Sequence, residues 1–190
     1  MKLSDFTACG AHQKGHFLLS SGLHSADYLQ CALFLAHPER AEEAGRALAE
    51  ALRQAGVSPQ LVIAPAMGGL IIGHEVARAL GRPFLFTERE DGLMTLRRGF
   101  ALSPGQSVAI IEDVVTTGKS TREVAAILSQ RGAEVLAVGS LVNRTRQSNP
   151  FAPLPYRCLL EVDFATWTAD ECPLCREGVP INKPGSRPIS

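Results

Sequence analysis

Two adjacent carboxylates, Glu112 and Asp113, end an apolar run that begins at Val108. A hydroxyl- and glycine-rich turn follows at once, Thr116-Thr-Gly-Lys-Ser-Thr121, and then a helical pattern from Arg122 to Leu128. Carboxylates accept hydrogen bonds from vicinal hydroxyls. A loop that opens a helix offers backbone N–H groups and the positive end of the helix dipole to a phosphate. A ligand with both a diol and a phosphate, a sugar phosphate, suits that order. Gly118-Lys-Ser120 is also the end of a nucleotide P-loop pattern, but that pattern requires a glycine at position 113, where Asp113 would repel phosphates. The chain has no G-x-G-x-x-G dinucleotide fingerprint. An ordinary strand-to-helix turn accounts for Ser120 or Thr121 as capping residues. It gives the acid pair no task, and unpaired buried carboxylates are costly.

Other groups are equipped for chemistry. Arg89, Arg97 and Arg98 stand in a polar stretch, 87–99, that also carries Gly92. Arginines bind phosphates bidentately by type, and the plain alternative is a solvated hairpin with Glu88 and Glu90 as their partners. Five cysteines are scattered along the chain, an odd number without a disulfide framework. Cys172-Pro-Leu-Cys175 is a C-x-x-C pair with no second such pair, so it supplies half of a zinc site, which Cys9 and His12 could complete in space. It does not sit at the strand-to-helix junction expected of a redox pair. The leading expectation is a tight C-terminal turn with packed thiols.

The elements that must position these groups alternate. The spacing predicts a short helix and turn over 1–16 and two short strands around 17–20 and 26–31. A helix over 38–54 and a strand over 61–64 follow, then a helix over 70–80 that Gly81 ends. Strands are expected at 83–86, 107–111, 135–142 and 158–162, with a helix over 121–131. Strands alternating with helices argue for an α/β fold with a doubly wound parallel sheet. The motifs at 65–69, 88–98, 112–120 and 143–146 each follow a strand, so they can meet at the carboxyl edge, where such sheets bind ligands. With 190 residues, 45% of them hydrophobic, the chain suits a single domain over 1–190. The core is expected over roughly 37–162, with a small hood from 1–36 and 163–190. Lys+Arg and Asp+Glu each number 19, so no net charge draws the chain to nucleic acid or membrane. No apolar run reaches the ~20 residues of a membrane span. The N-terminus lacks a signal-peptide pattern, and a cytoplasmic location is expected.

Ile110-Ile-Glu-Asp-Val-Val-Thr-Thr-Gly-Lys-Ser-Thr121 resembles the phosphoribosyl pyrophosphate (PRPP) motif of type I phosphoribosyltransferases at every position. Phe86–Phe100 and Cys172–Arg187 resemble one bacterial branch of the orotate phosphoribosyltransferases, and the likeness runs from Phe17 to Arg187. The resemblance implies that fold and a glycosyltransferase of pyrimidine (UMP) biosynthesis. It would move ribose 5-phosphate from PRPP to orotate, forming orotidine 5′-phosphate and pyrophosphate. Glu112 and Asp113 would hold the ribose hydroxyls and, with Arg89, form the catalytic set. Val114, Val115, Thr116, Thr117, Gly118, Lys119 and Ser120 would line the 5′-phosphate, although Lys119 could equally be a solvated lysine. Ala64–Gly69 resembles the pyrophosphate loop. Gly68 stands where other members often carry lysine, so Gly68 and Gly69 would offer backbone N–H groups while Arg89, Arg97 and Arg98 supply charge. Thr116 and Arg144 would bind orotate, with Phe17, Ser20 and Ser21 near the ligands. Mg²⁺ would arrive with PRPP and not in a protein cage. The resemblance also implies a homodimer, in which a mobile loop reaches the partner's site. A transferase for a purine or uracil, or a PRPP-sensing regulator that binds nucleic acid, are the competing readings.

Overall fold

The structure, a computed structural model, describes residues 1–19 and 21–184. In chain order the elements are α1 (Leu3–Thr7), β1 (His12–Leu18), β2 (His24–Leu29), α2 (Cys31–Leu35), α3 (Pro38–Gln54), β3 (Leu61–Pro65), α4 (Gly69–Leu80) and β4 (Phe84–Glu90). Then come β5 (Leu93–Thr95), β6 (Ser107–Val115), α5 (Lys119–Gln130), β7 (Glu134–Asn143), β8 (Tyr156–Glu161), β9 (Thr166–Trp167) and α6 (Pro173–Arg176). They fall into two compact units, Leu35–Val162 and a terminal unit of Lys2–Phe34 with the chain from Asp163 onward.

The larger unit is built on a six-stranded sheet of order β5-β4-β3-β6-β7-β8. All neighbours are parallel except β5, which returns antiparallel along β4. Its central strands carry apolar runs because both faces are covered. All of Leu61–Pro65 is buried, as is Val108–Ile111. Alternate residues divide between the faces. Leu61, Ile63, Val108 and Ile110 pack with Val124 and Leu128 of α5. On the other face a Cβ on Gly73 of α4 would meet Ala64, and one on Gly139 would meet Ile111 and Leu48 of α3. Each fully buried Ile or Leu there contributes about 1.5–3 kcal/mol relative to exposure. The helix α3 is amphipathic, with Ala41, Ala44, Leu48 and Leu52 inward, and it spans the residues its periodicity predicts.

Three differences from the sequence expectation bear on function. The strand β6 does not stop at the acids. It continues to Val115, with Glu112 opposite Ser140 and Val115 opposite Asn143 of β7, so backbone pairing holds the acid pair in place. The helix α5 starts at Lys119, two residues early, because Gly118 (φ 71°) supplies the left-handed turn that lets the helix open there. Residues 84–95 form a hairpin, one of the forms open to the polar stretch 87–99, and its first strand runs past the expected 83–86 to Glu90. Glu88, Arg89 and Glu90 pair with Thr95, Met94 and Leu93, and the Asp91-Gly92 turn has positive φ at both residues, as a tight two-residue hairpin requires. Its Asp-Gly turn signal lay in the sequence.

The terminal unit holds a three-stranded antiparallel sheet, β1-β2-β9. The strand β1 begins at His12, inside the segment expected as helix and turn, and its pairing with β2 shifts between Lys14 and Phe17. That shift absorbs Gly15 into the strand, where bulges accept glycine. Phe6 stacks on Phe34 with ring centres 4.4 Å apart. Burial opposes ionisation of Asp27, but hydrogen bonds from Lys14 and His12 outweigh it and hold the carboxyl below its usual range. The elements α2, β9 and α6 are too short for a periodic signal, and tertiary packing defines them.

Candidate active site

The carboxyl ends of four adjacent strands, β4, β3, β6 and β7, carry the groups singled out in the sequence. Glu112 is 7% exposed and Asp113 is half-buried. Burial pushes the Asp113 carboxyl above its ordinary value, and hydrogen bonds from the backbone of Val114 and of Asp113 itself offset this only in part. The carboxylate lies over Gly68, the N-cap of α4: a Cβ there would stand 2.5 Å from Oδ1 and 2.6 Å from Cγ. The acid pair and the loop after β3 are thus in direct apposition, and only glycine permits it. Ala66 N–H donates to the Thr87 carbonyl at 2.7 Å, tying this loop to β4. The Ala66–Met67 peptide is cis.

Beyond the acids, Thr116 and Thr117 are exposed and Gly118 is buried. The Lys119 N–H donates to the Thr117 hydroxyl at 3.3 Å, and the exposed Lys119 ammonium lies 4.0 Å from Glu123. Ser120 lies in the first turn of α5. The N-termini of α4 and α5 therefore both open at this edge, two dipole ends suited to anions. The Val115 side chain is 1% exposed and lies in the core, so only its backbone is available to a ligand at this edge. Its carbonyl accepts the Arg144 N–H at 2.8 Å, which sets Arg144 beside the phosphate loop.

The hairpin arginines are engaged with acids. Arg89 donates to Glu123 of α5 and, at 2.8 Å, to the Gly92 carbonyl. Arg97 pairs with Glu90 at 3.0 Å. Arg98 donates to Glu88 at 2.9 Å and stacks over Phe86, 5.5 Å from the ring centre. The Arg98 guanidinium holds the Glu88 carboxyl below its usual range. This is the plain alternative for Arg97 and Arg98. A phosphate ligand would have to exchange these weak exposed pairs for charge-assisted bonds of its own. Phe17 is buried against Tyr28 within the terminal unit, with ring centres 5.6 Å apart, so its side chain is a packing element there. Ser21 is exposed, and Ser20 and Arg187 lie outside the described residues. A shallow depression elsewhere, lined by Arg46, Glu50, Arg53, Arg78 and Ala79, holds charges that pair with acids of α3 and α4.

Residues 32–174 match the family described as the phosphoribosyl transferase domain. The chain belongs to the phosphoribosyl transferase family. It is similar to the orotate phosphoribosyltransferase of Carboxydothermus hydrogenoformans, 52% identical over 174 residues that cover 92% of this chain and 91% of that protein. Against the orotate phosphoribosyltransferase of Thermotoga maritima the identity is 47% over 178 residues, 94% of each chain. The solved structure of orotate phosphoribosyltransferase from Aeropyrum pernix matches with a TM-score of 0.67 over 83% of this chain and 92% of that one. At 24% identity that is a likeness of fold.

In this phosphoribosyl transferase, two residues carry structure that the motif does not signal. Arg122 donates to the Thr117 carbonyl at 2.6 Å and to the Pro150 carbonyl at 3.0 Å, while its guanidinium lies 5.5 Å from the centre of the Phe151 ring. It clamps the Thr116–Ser120 loop to the Pro150 segment. Arg122→Ala is expected to raise the KM for PRPP roughly 10-fold, from the loss of the charge-assisted bonds that hold the loop, with a smaller effect on the KM of the acceptor base. Steady-state kinetics with each substrate varied checks this; equal changes in both would contradict it. Asn143 is 4% exposed and bonds Thr145 and the Gln147 carbonyl, shaping the loop that carries Arg144. The sequence signal for Arg122 was only its place on the first turn of α5.

Proposed function

We propose that this chain transfers ribose 5-phosphate from PRPP to orotate, giving orotidine 5′-phosphate and pyrophosphate. The bond from C1 to the pyrophosphate oxygen breaks and its electron pair leaves with pyrophosphate. A ring nitrogen of orotate gives up its proton, to the departing pyrophosphate or to solvent, and forms the new bond to C1. The sugar passes through an oxocarbenium-like centre. Glu112 and Asp113 accept hydrogen bonds from the ribose hydroxyls and place negative charge near that centre. The N–H groups and hydroxyls from Thr116 to Ser120 hold the 5′-phosphate at the N-terminus of α5. Gly68 and Gly69 offer the N-terminus of α4 to pyrophosphate, and Arg89, Arg97 and Arg98 add charge once released from their acids. Two hard carboxylates beside a phosphate cradle fit Mg²⁺ shared with the substrate. When bound, Mg²⁺ neutralises the leaving pyrophosphate.

The observation that supports the choice of base is the Arg144 N–H bond to the Val115 carbonyl, which anchors the backbone of a residue whose guanidinium type suits a carboxylate beside the Thr116–Ser120 loop. Orotate differs from uracil by that carboxylate. Arg144→Ala is expected to raise the KM for orotate roughly 10- to 100-fold and leave the KM for PRPP nearly unchanged. Assays with PRPP, Mg²⁺ and either orotate, uracil, adenine, hypoxanthine or guanine test the reading, and dominant turnover of any base but orotate overturns it.

This reading includes a cytoplasmic homodimer in which the β4–β5 arm reaches the partner's site. The five cysteines are free, as suits a reducing compartment. Leu93 at the tip of the arm is 71% exposed, an apolar group available to a second copy. Among the described residues no helix is long and apolar enough to cross a membrane.

A further inference from the structure

We infer that the terminal unit binds one Zn²⁺ through His16, His24, Cys172 and Cys175, and that this metal ties the N-terminal hairpin to the C-terminal segment. Cys9 and His12 do not complete the C-x-x-C pair. His12 is hydrogen-bonded to Asp27 at 2.7 Å, and the Cys9 thiol donates to the Asp5 and Phe6 carbonyls. His16 and His24 take that place, and the four ligand atoms all lie within 4.8 Å of one another.

The fold brings them together by backbone pairing. His16 is on β1, beside the irregularity between Lys14 and Phe17, and His24 opens β2 opposite Leu18. Trp167 of β9 pairs with His24 and delivers the chain to Cys172. Cys172 caps α6 with Pro173 in its first turn, and Cys175 follows one turn later. Returning chain then bonds to β1 on the other side: Asn182 N–H donates to the His16 carbonyl at 2.7 Å and Leu18 N–H to the Asn182 carbonyl at 2.9 Å.

The protonation pattern favours a metal over a plain hydrogen-bonded cluster. His16 Nδ1 lies 2.7 Å from the Val179 carbonyl, which can only accept, so Nδ1 carries the proton. Neutral His16 then has one lone pair, on Nε2. Three groups converge on it: His24 Nδ1 at 2.8 Å, Cys172 Sγ at 3.5 Å and Cys175 Sγ at 3.6 Å. One lone pair does not accept three hydrogen bonds, whereas a cation at the centre of the four atoms satisfies all of them. The backbone carbonyl on the far nitrogen is the outer partner that metal-bound histidines have. Cys175 Sγ lies 3.3 Å from His24 Nδ1. Tetrahedral zinc, with Zn–N of about 2.0–2.1 Å and Zn–S of about 2.3 Å, requires N···S edges of about 3.6 Å and an N···N edge of about 3.3 Å. The 3.5 and 3.6 Å from His16 Nε2 to the two thiols match, while the 3.3 Å from His24 Nδ1 to Cys175 and the 2.8 Å between the imidazoles each open by a few tenths of an ångström to admit the metal. His16, His24 and Cys172 are buried while Cys175 is exposed, so three ligands are shielded and the fourth gives the metal a way in from solvent. Thiolate with imidazole selects zinc over the hard cation expected at the catalytic edge. A small unit of two distant segments is the kind that metals stabilise.

The test needs no substrate. Full-length protein purified without chelators or an affinity tag is expected to hold about one zinc per chain by mass spectrometry of the metal. After removal of zinc under reducing conditions, Co²⁺ is expected to restore the site with a thiolate-to-cobalt charge-transfer band and the intense visible bands of a tetrahedral centre. Cys172→Ser and His24→Ala lose both signals, and Cys9→Ser keeps them. Zinc below about a tenth of an equivalent together with no tetrahedral cobalt spectrum in the wild-type chain overturns the inference, whether or not the variants fold. So does a Cys172–Cys175 disulfide in protein lysed under thiol-blocking conditions, or a cobalt spectrum that survives in Cys172→Ser.

Discussion

Asp113→Asn is expected to lower kcat/KM by about 10²–10³-fold and, above the pH at which the folded carboxyl ionises, to raise the melting temperature. The two effects have one cause. Asp113 sits where burial disfavours its charge, yet the proposed chemistry needs that charge against the ribose hydroxyls and the developing oxocarbenium centre. Asn keeps an oxygen for the Val114 and Asp113 backbone donors but loses the charge. The sign of the pH dependence follows. The unfolded carboxyl ionises near 3.8 and the folded one only at higher pH, so between those values the folded chain holds the proton more tightly. Stability falls as pH rises through that window and is level above it. The melting advantage of Asp113→Asn therefore grows as pH rises through that window, is full above it, and vanishes as pH drops below the ordinary carboxyl value. Melting curves across pH, with orotate consumption measured alongside, check both halves. An active Asn variant removes the acid pair from the mechanism, and a melting gain that persists at low pH removes its electrostatic cause.

Gly68→Ala is expected to cost about 10²-fold or more in kcat/KM while the folded state survives. Gly68 has φ −58°, ordinary helical backbone, so alanine meets no conformational penalty there. The whole effect comes from the 2.5–2.6 Å between its new Cβ and the Asp113 carboxylate, which forces the acid, the loop or both to move. Misplacement on that scale removes the alignment that transfer needs. The diagnostic is coupling with Asp113→Asn. If the glycine serves the acid, the double variant is hardly slower than Asp113→Asn alone, a large departure from additivity. Additive losses would mean that Gly68 acts only through its own N–H toward pyrophosphate. Circular dichroism and melting of Gly68→Ala separate misplacement from misfolding.

The sequence alone carried the local chemistry. The order of strand, acid pair, hydroxyl-rich loop and helix needs only neighbouring residues, so Glu112 to Ser120 were legible as one ligand-binding run. Helix α3 was equally clear, because a long amphipathic repeat is set by burial of a single face. Where β6 ends was not clear. Its extension through Glu112 and Asp113 depends on hydrogen bonds to β7, partners more than twenty residues away. The hairpin charges were ambiguous for a similar reason: type marks an arginine as a phosphate donor, but only proximity decides that Arg89 holds Glu123 and Arg98 holds Glu88.

Tertiary structure alone decided the long-range contacts. That a lysine-free loop carries Gly68 was plain; that the glycine is required because Asp113 lies over it depends on strand order. The same holds for the second half of the Cys172–Cys175 pair. Cys9 and His12 were plausible on ligand type, but the β1–β2 register turns His16 and His24 to the thiols and gives His12 to Asp27. Residue types and short spacings encode what a segment can do, since those interactions reach a few residues. Which segments face one another is a property of the packed sheet, where contacts across 156 positions place Cys172 beside His16.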